Sequence, residues 1–285
     1  MILEHEIPNG SKLYFGKSAK LKRRIEQVAS EILDVNGYEE IVTPIFSYHQ
    51  HKSIADEREL IRINDEKNNA LSLRADSTID VVRIIEKRLG DNTKEKKWFY
   101  IQPVFTYPTI EQYQVGVEFM GEKNLSSVIN LTVEIFDKLE VKSLIQISNM
   151  KIPRLLAEMF DALDIDDFRH INIDKFINLK EEWLTKLVYL QYIEQVDEVM
   201  AIAPKAIADE LLKMKELCEQ MQCDNAVLAP MYYAKMLYYD ELYFRSIAEN
   251  EVYARGGRYK NGELTSVGFA IYTDALCEAL GKEEK

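Results

Sequence analysis

A chain of 285 residues, 47% of them hydrophobic, can bury a substantial core, so the sequence is that of a globular protein and not a disordered one. Acidic residues outnumber basic ones 48 to 36, and the net charge of -12 opposes the phosphate neutralisation that drives nucleic-acid binding. Cys218, Cys223 and Cys277 match neither a disulfide framework nor metal-ligand spacing, Met1 to Gly10 lacks the basic start of a signal peptide, and no apolar stretch approaches a membrane span. These features imply a soluble, cytoplasmic protein with reduced thiols, no metal and no cofactor.

From Lys17 to Val35 the apolar residues Leu21, Ile25, Val28, Ala29, Ile32 and Leu33 fall on one helical face, and Asn36-Gly37 ends that helix with Gly37 free to turn left-handed. Tyr38 to Pro44, rich in β-branched residues, predicts a strand, as does Ala70 to Leu73. Ser77 is placed to cap a helix running through Ile79, Val82, Ile85 and Leu89. Lys94 to Lys97 reads as a solvated turn, and Trp98 to Phe105 and Tyr113 to Met120 as a hairpin turning at Pro108 and Thr109.

Between Leu125 and Cys223 the texture is mostly helical, clearest at Ile152 to Leu163, Lys180 to Tyr192 and Ile207 to Met221, with one extended piece at Leu144 to Ile147. Strands return at Leu242 to Ile247 and Glu251 to Ala254, followed by a turn at Gly256-Gly257 and a last strand and helix from Ser266 to Leu280. No internal repeat and no Gly- or Pro-rich linker interrupts the chain, which favours an α+β core spanning 1–285 with a helical insertion at about 150–225.

Four local signatures, in order, resemble the histidyl-tRNA synthetase family of class II aminoacyl-tRNA synthetases. Gly37-Tyr38-Glu39-Glu40-Ile41-Val42-Thr43-Pro44 is similar to its motif 1, and Leu73-Arg74-Ala75-Asp76-Ser77-Thr78 to its Leu-Arg-Pro-Glu-x-Thr pocket segment. Gln102-Pro103-Val104-Phe105 through Gln114-Val115-Gly116-Val117-Glu118 resembles motif 2. Ala254-Arg255-Gly256-Gly257-Arg258-Tyr259 and Val267-Gly268-Phe269-Ala270 resemble the Gly-Gly-Arg-Tyr turn and motif 3. The resemblance covers nearly the whole chain and implies a six- or seven-stranded antiparallel sheet flanked by helices, with dimerisation through motif 1. No segment resembling the family's anticodon-binding domain follows motif 3.

Adenylate formation brings a carboxylate against a triphosphate and needs fixed positive charge. The family's motif 2 arginine falls here on Thr106, the arginine of Arg-Gly-Leu-Asp-Tyr-Tyr on Ala234, and the motif 3 arginine on Ala275 beside Asp274. The three cationic positions are thus neutral, and no catalytic residue is assigned. The pocket is better kept. By resemblance, Asp76, Thr78, Gln114, Glu118, Tyr239 and Tyr259 stand where the family contacts histidine, with carboxylates for the cationic groups and aromatic walls for the ring. Asp240-Glu241 replace small residues of the family and would repel a bound carboxylate unless Lys235, Arg245 or Arg258 compensates.

A histidine pocket without the catalytic cations makes the chain similar to members of this family that act as regulatory subunits of ATP phosphoribosyltransferase. That resemblance implies a catalytic ATP phosphoribosyltransferase chain as partner, a homodimer within a hetero-oligomer, histidine as ligand, and neither nucleic acid nor membrane as partner. An amino-acid-activating or aminoacyl-transferring paralogue, and a binding or scaffold protein with a degenerate pocket, stay open as alternatives.

Overall fold

The spacing of Ile25, Ala29 and Leu33 places one fully buried stripe along helix α1 (Gly16–Val35). Gly37 adopts φ +77° just beyond it, and the Gly37 and Tyr38 N–H groups bond back to Asp34 and Leu33, so the helix ends where Asn36-Gly37 predicts. The computed structural model describes residues 3–50, 54, 56–90, 93–234 and 239–283. The chain divides into two compact units: Met1–Met120 with Lys138–Val141 and Ala270–Lys285, and Gly121–Asp137 with Lys142–Phe269.

In the first unit, α1 is followed by β1 (Glu39–Glu40), β2 (Phe46–Ser47), β3 (Arg62–Asn64), β4 (Ala70–Leu73), α2 (Thr78–Ile84), β5 (Lys97–Thr106) and β6 (Ile110–Phe119). The predicted strand at Tyr38 to Pro44 shrinks to β1, because Thr43 and Pro44 leave the ladder to meet the side chains of Gln102 and Arg74. β5 and β6 form an unbroken hairpin from Lys97 opposite Phe119 to Thr106 opposite Ile110; β5 is one residue longer than predicted at each end, and β6 starts three residues earlier and stops one short of Met120. β2, β4 and β3 make a separate small sheet. Helix α10 (Thr273–Glu283) completes the unit and packs on α1.

The second unit holds α3 (Ser126–Lys138, all but its last residue), β7 (Leu144–Asn149), α4 (Lys151–Met159), α5 (Ile165–Arg169), α6 (Ile173–Ile177), α7 (Glu182–Val188), α8 (Val196–Met200), α9 (Lys205–Gln220), β8 (Ala226–Leu228), β9 (Tyr239–Ala248) and β10 (Glu251–Asn261). Strand β11 (Leu264–Tyr272) gives its first six residues to this unit and its last three to the first. Strand order is β1-β5-β6 in the first unit and β11-β10-β9-β7-β8 in the second, eight strands in all. The α+β class agrees with the sequence reading, but the sheet is mixed: β1 runs parallel to β5, and β8 parallel to β7. Parallel neighbours need crossover connections, and α4 to α9 supply the one from β7 to β8.

Gly256 and Gly257 are not a turn. They lie inside β10, opposite Phe244 and Tyr243, where a Cβ on Gly256 would stand 2.3 Å from the Gly268 carbonyl and one on Gly257 2.6 Å from the Tyr239 ring. The glycines mark close approach, and the chain reversal after this strand comes later, at Gly262 and Glu263, with Gly262 at positive φ. No helix among the described residues is long and apolar enough to cross a membrane.

Candidate functional site

In the first unit, Asp76 closes the loop from β4 into α2. Its Oδ1 accepts the Ile79 N–H at 3.0 Å, so the helix cap predicted for Ser77 belongs to Asp76. Ser77 is buried and engaged elsewhere, its hydroxyl accepting from Gln102 Nε2 at 3.1 Å. Gln50 holds the same loop from behind: its Oε1 accepts the Ala75 and Asp76 N–H groups at 2.9 and 2.7 Å, and its Nε2 donates to the Asp76 carbonyl at 2.9 Å. Thr78 follows as the first residue of α2, half-buried.

Arg74, 1% exposed, anchors this arrangement, a role the motif string alone does not reveal. Its guanidinium donates to the carbonyls of Thr43, Pro44 and Pro103 at 2.8 to 3.2 Å, tying the end of motif 1 to β5. Burial lowers its pKa from the ordinary arginine value, and the carbonyl acceptors meet the demand of a buried donor-only group.

Gln114 and Glu118 lie four apart on β6, opposite Gln102 and Trp98, so both face the same side of the hairpin. Both are buried, Glu118 completely. Between them, Gly116 has no room for a side chain: a Cβ there would lie 2.0 Å from Cζ of Tyr100. The Tyr100 ring therefore crosses β6 between the two polar residues and forms the floor of this face. The glycine flanked by predicted contacts was the one sequence signal for it.

The positions that the resemblance aligns with the family's catalytic arginines carry neutral groups. Thr106 ends β5, half-buried, and Ala275 is the third residue of α10, half-buried. Beside Ala275, the buried carboxylate of Asp274 accepts the Tyr14 hydroxyl and the Tyr113 N–H, the latter at 2.8 Å. Burial pushes the Asp274 carboxyl above its ordinary range, although both hydrogen bonds oppose that shift. Lys22 sits 3.9 Å from the centre of the Tyr113 ring and pairs with Glu26, so its charge is already engaged.

In the second unit, Tyr239 opens β9 directly opposite Tyr259 on β10; both are buried. Tyr239 meets Tyr243 edge-on with ring centres 4.9 Å apart, and Tyr243 stacks on Tyr232 at 5.8 Å. Ala234, 3% exposed, donates its N–H to the sulfur of Met150 at 3.0 Å.

The carboxylates of Asp240 and Glu241 are compensated. Arg258 pairs with both, Lys260 reaches Asp240 at 3.2 Å and Lys213 reaches Glu241 at 3.2 Å. Of the three cations named from sequence, Arg258 thus serves. Arg245 instead donates to Gln146 at 2.7 Å and covers the Tyr232 ring at 3.9 Å, and Lys235 lies outside the described residues. Glu210, 3% exposed in its side chain, extends the network by accepting from Asn149, Lys151 and Lys213 at 2.9 Å each. Burial raises its pKa, but these three donors outweigh burial and leave it below the ordinary glutamate value. No cluster of His, Cys, Asp or Glu suited to a metal occurs among the described residues.

The family model of histidyl-tRNA synthetase matches residues 15–276. An ATP phosphoribosyltransferase regulatory subunit from Wolinella succinogenes is 46% identical over 280 residues, 98% of this chain and 97% of that one. One from Helicobacter hepaticus is 41% identical, covering 98% of this chain and 99% of that one. Among solved structures, an ATP phosphoribosyltransferase regulatory subunit/histidyl-tRNA synthetase from Bacillus halodurans superposes with a TM-score of 0.85 at 20% identity, over 98% of this chain and 84% of that one, a likeness of fold. The chain belongs to the ATP phosphoribosyltransferase regulatory subunits, within the histidyl-tRNA synthetase family.

Proposed function

We propose that this chain is a non-catalytic subunit that modulates the first step of histidine biosynthesis by assembling with a catalytic ATP phosphoribosyltransferase chain. What supports this reading is the neutral side chains of Thr106, Ala234 and Ala275, at the positions the family resemblance gives to catalytic arginines. Ala234 is packed against Met150 and Ala275 lies beside a buried carboxylate. Without those cations the negative charge gathered on a triphosphate and a carboxylate goes unstabilised, a loss on the order of several kcal/mol in the barrier.

Histidine is the proposed ligand, and the residues that the family resemblance assigns to it are Asp76, Thr78, Gln114, Glu118, Tyr239 and Tyr259. A homodimer within a hetero-oligomer and a cytoplasmic location belong to the same reading. A protein that binds histidine without activating it is a sensor, and it regulates whenever its affinity differs between two states of the assembly.

Two measurements on the isolated chain test this. Histidine-dependent exchange of pyrophosphate into ATP should stay at background; measurable exchange would return the chain to the activating enzymes. Calorimetry should detect histidine binding, weakened about tenfold by Glu118→Gln, the scale of one lost charge-assisted hydrogen bond. An unchanged dissociation constant removes Glu118 from the site.

A further inference from the structure

The first turn of α4 holds Tyr233 and Ala234 on one side and the start of β9, Tyr239 to Glu241, on the other. On the first side the Ala234 N–H donates to the Met150 sulfur at 3.0 Å, and Arg154 Nε donates to the Tyr233 hydroxyl at 3.3 Å. On the other side the Met150 N–H donates to the Glu241 carbonyl at 2.8 Å. The two terminal nitrogens of Arg154 donate to the carbonyls of Asp240 and Tyr239 at 2.9 and 3.1 Å.

Arg154 is the demanding member of this set. Successive carbonyls of a regular strand point to opposite edges, so a single guanidinium reaches two of them only where the strand departs from regular geometry. The ladder is irregular at this place: Gly257 faces Tyr243, but Tyr259 faces Tyr239, a shift of register between β10 and β9. The planar fork of guanidinium suits such a pair of acceptors, whereas a lysine ammonium presents a point charge without that span. The Tyr233 ring lies 5.7 Å from the same guanidinium and 5.8 Å from that of Arg169.

We infer that Arg154 is a positioning residue. Through the Tyr239 and Asp240 carbonyls it fixes the entry of β9 and so sets where the Tyr239 ring stands. It thereby makes α4, the first of the helices α4 to α9, the element through which a change at Tyr239 passes into that helical run. The link to ligand sensing rests on the histidine reading proposed above; the positioning role does not.

Amide hydrogen exchange on the full chain, with histidine titrated by calorimetry in parallel, tests both parts. In Arg154→Met the amides of Tyr239 to Tyr243 should exchange about tenfold faster than in the parent, the effect of losing a charge-assisted contact. Those of α3 should keep their protection. Arg154→Lys retains the charge without the fork and should shift exchange in the same direction. It decides the matter if Arg154→Met fails to fold. Histidine affinity should fall about tenfold with the faster exchange. Unchanged exchange at Tyr239 to Tyr243 in the folded variant overturns the positioning role. Faster exchange with unchanged histidine affinity overturns its part in sensing. If the parent binds no histidine, the ligand reading fails and the exchange comparison still judges Arg154.

Discussion

Gly116 allows the Tyr100 ring to lie across β6 between Gln114 and Glu118, and Gly257 does the same for the Tyr239 ring on β10. Each glycine sits beside residues that the family resemblance assigns to a histidine pocket, Gly116 between Gln114 and Glu118 and Gly257 beside Tyr239. Gly116→Ala would force Cβ to within 2.0 Å of a buried ring and should destabilise the chain by about 1–3 kcal/mol, as overpacking does. Urea denaturation checks this, and Tyr100→Leu in the same chain should recover most of the loss. Equal destabilisation in the single and double variants would deny that the ring is what excludes the side chain. At this scale the sequence revealed residue types at motif positions, such as Asp76 and Gln114, but not the supports behind them. Arg74 and Gln50 act through contacts 25 to 31 residues away along the chain, and no local pattern encodes those. Ser77 as helix cap failed for the same reason, because Gln102 claims its hydroxyl.

Among elements, helices with a long apolar stripe were legible, as were the strands at Ala70 to Leu73 and from Leu144, whereas the strand read at Tyr38 to Pro44 was not. The stripe of α1 and its glycine stop survive intact, whereas Tyr38 to Pro44 yields only β1. β-branched residues favour an extended backbone but do not choose between a ladder and a loop held by side chains. Gly256-Gly257 misled because a glycine pair signals either a turn or a close approach, and only the neighbouring strands decide. The contact of α4 and α9 with the start of β9 depends on ion pairs that cross the second unit, above all Glu210 with Lys151 and Lys213. Because the folded Glu210 carboxyl lies below the ordinary glutamate value of 4.5, its stabilisation is complete above that pH and is lost as pH falls through the lower folded value. The stability gap between the parent and Glu210→Gln should therefore be about 1–3 kcal/mol near neutrality, the scale of a broken buried hydrogen-bond group. That gap should close below pH 4.5. Melting temperatures across that range measure it, and a gap independent of pH would show that Glu210 acts by shape alone.

For the whole molecule, the α+β class was legible from the hairpin set against helical segments, and the family because four motif strings occur in the right order. The mixed sheet was not legible, since its two parallel pairs are made by short edge strands with only two and three residues in register. Composition argued against nucleic acid through the net charge of -12 without naming a protein partner. Membership among the regulatory subunits rests on relatives 46% and 41% identical over nearly the full chain. The central claim is that this chain regulates a phosphoribosyltransferase and does not itself activate histidine. The most direct measurement is the phosphoribosyl-transfer rate of a catalytic ATP phosphoribosyltransferase chain from the same source, alone and mixed with this chain, across a range of histidine concentrations. The account predicts a co-purifying complex whose rate or histidine sensitivity changes only when this chain is present. Identical rates and identical histidine response with and without it would contradict the account.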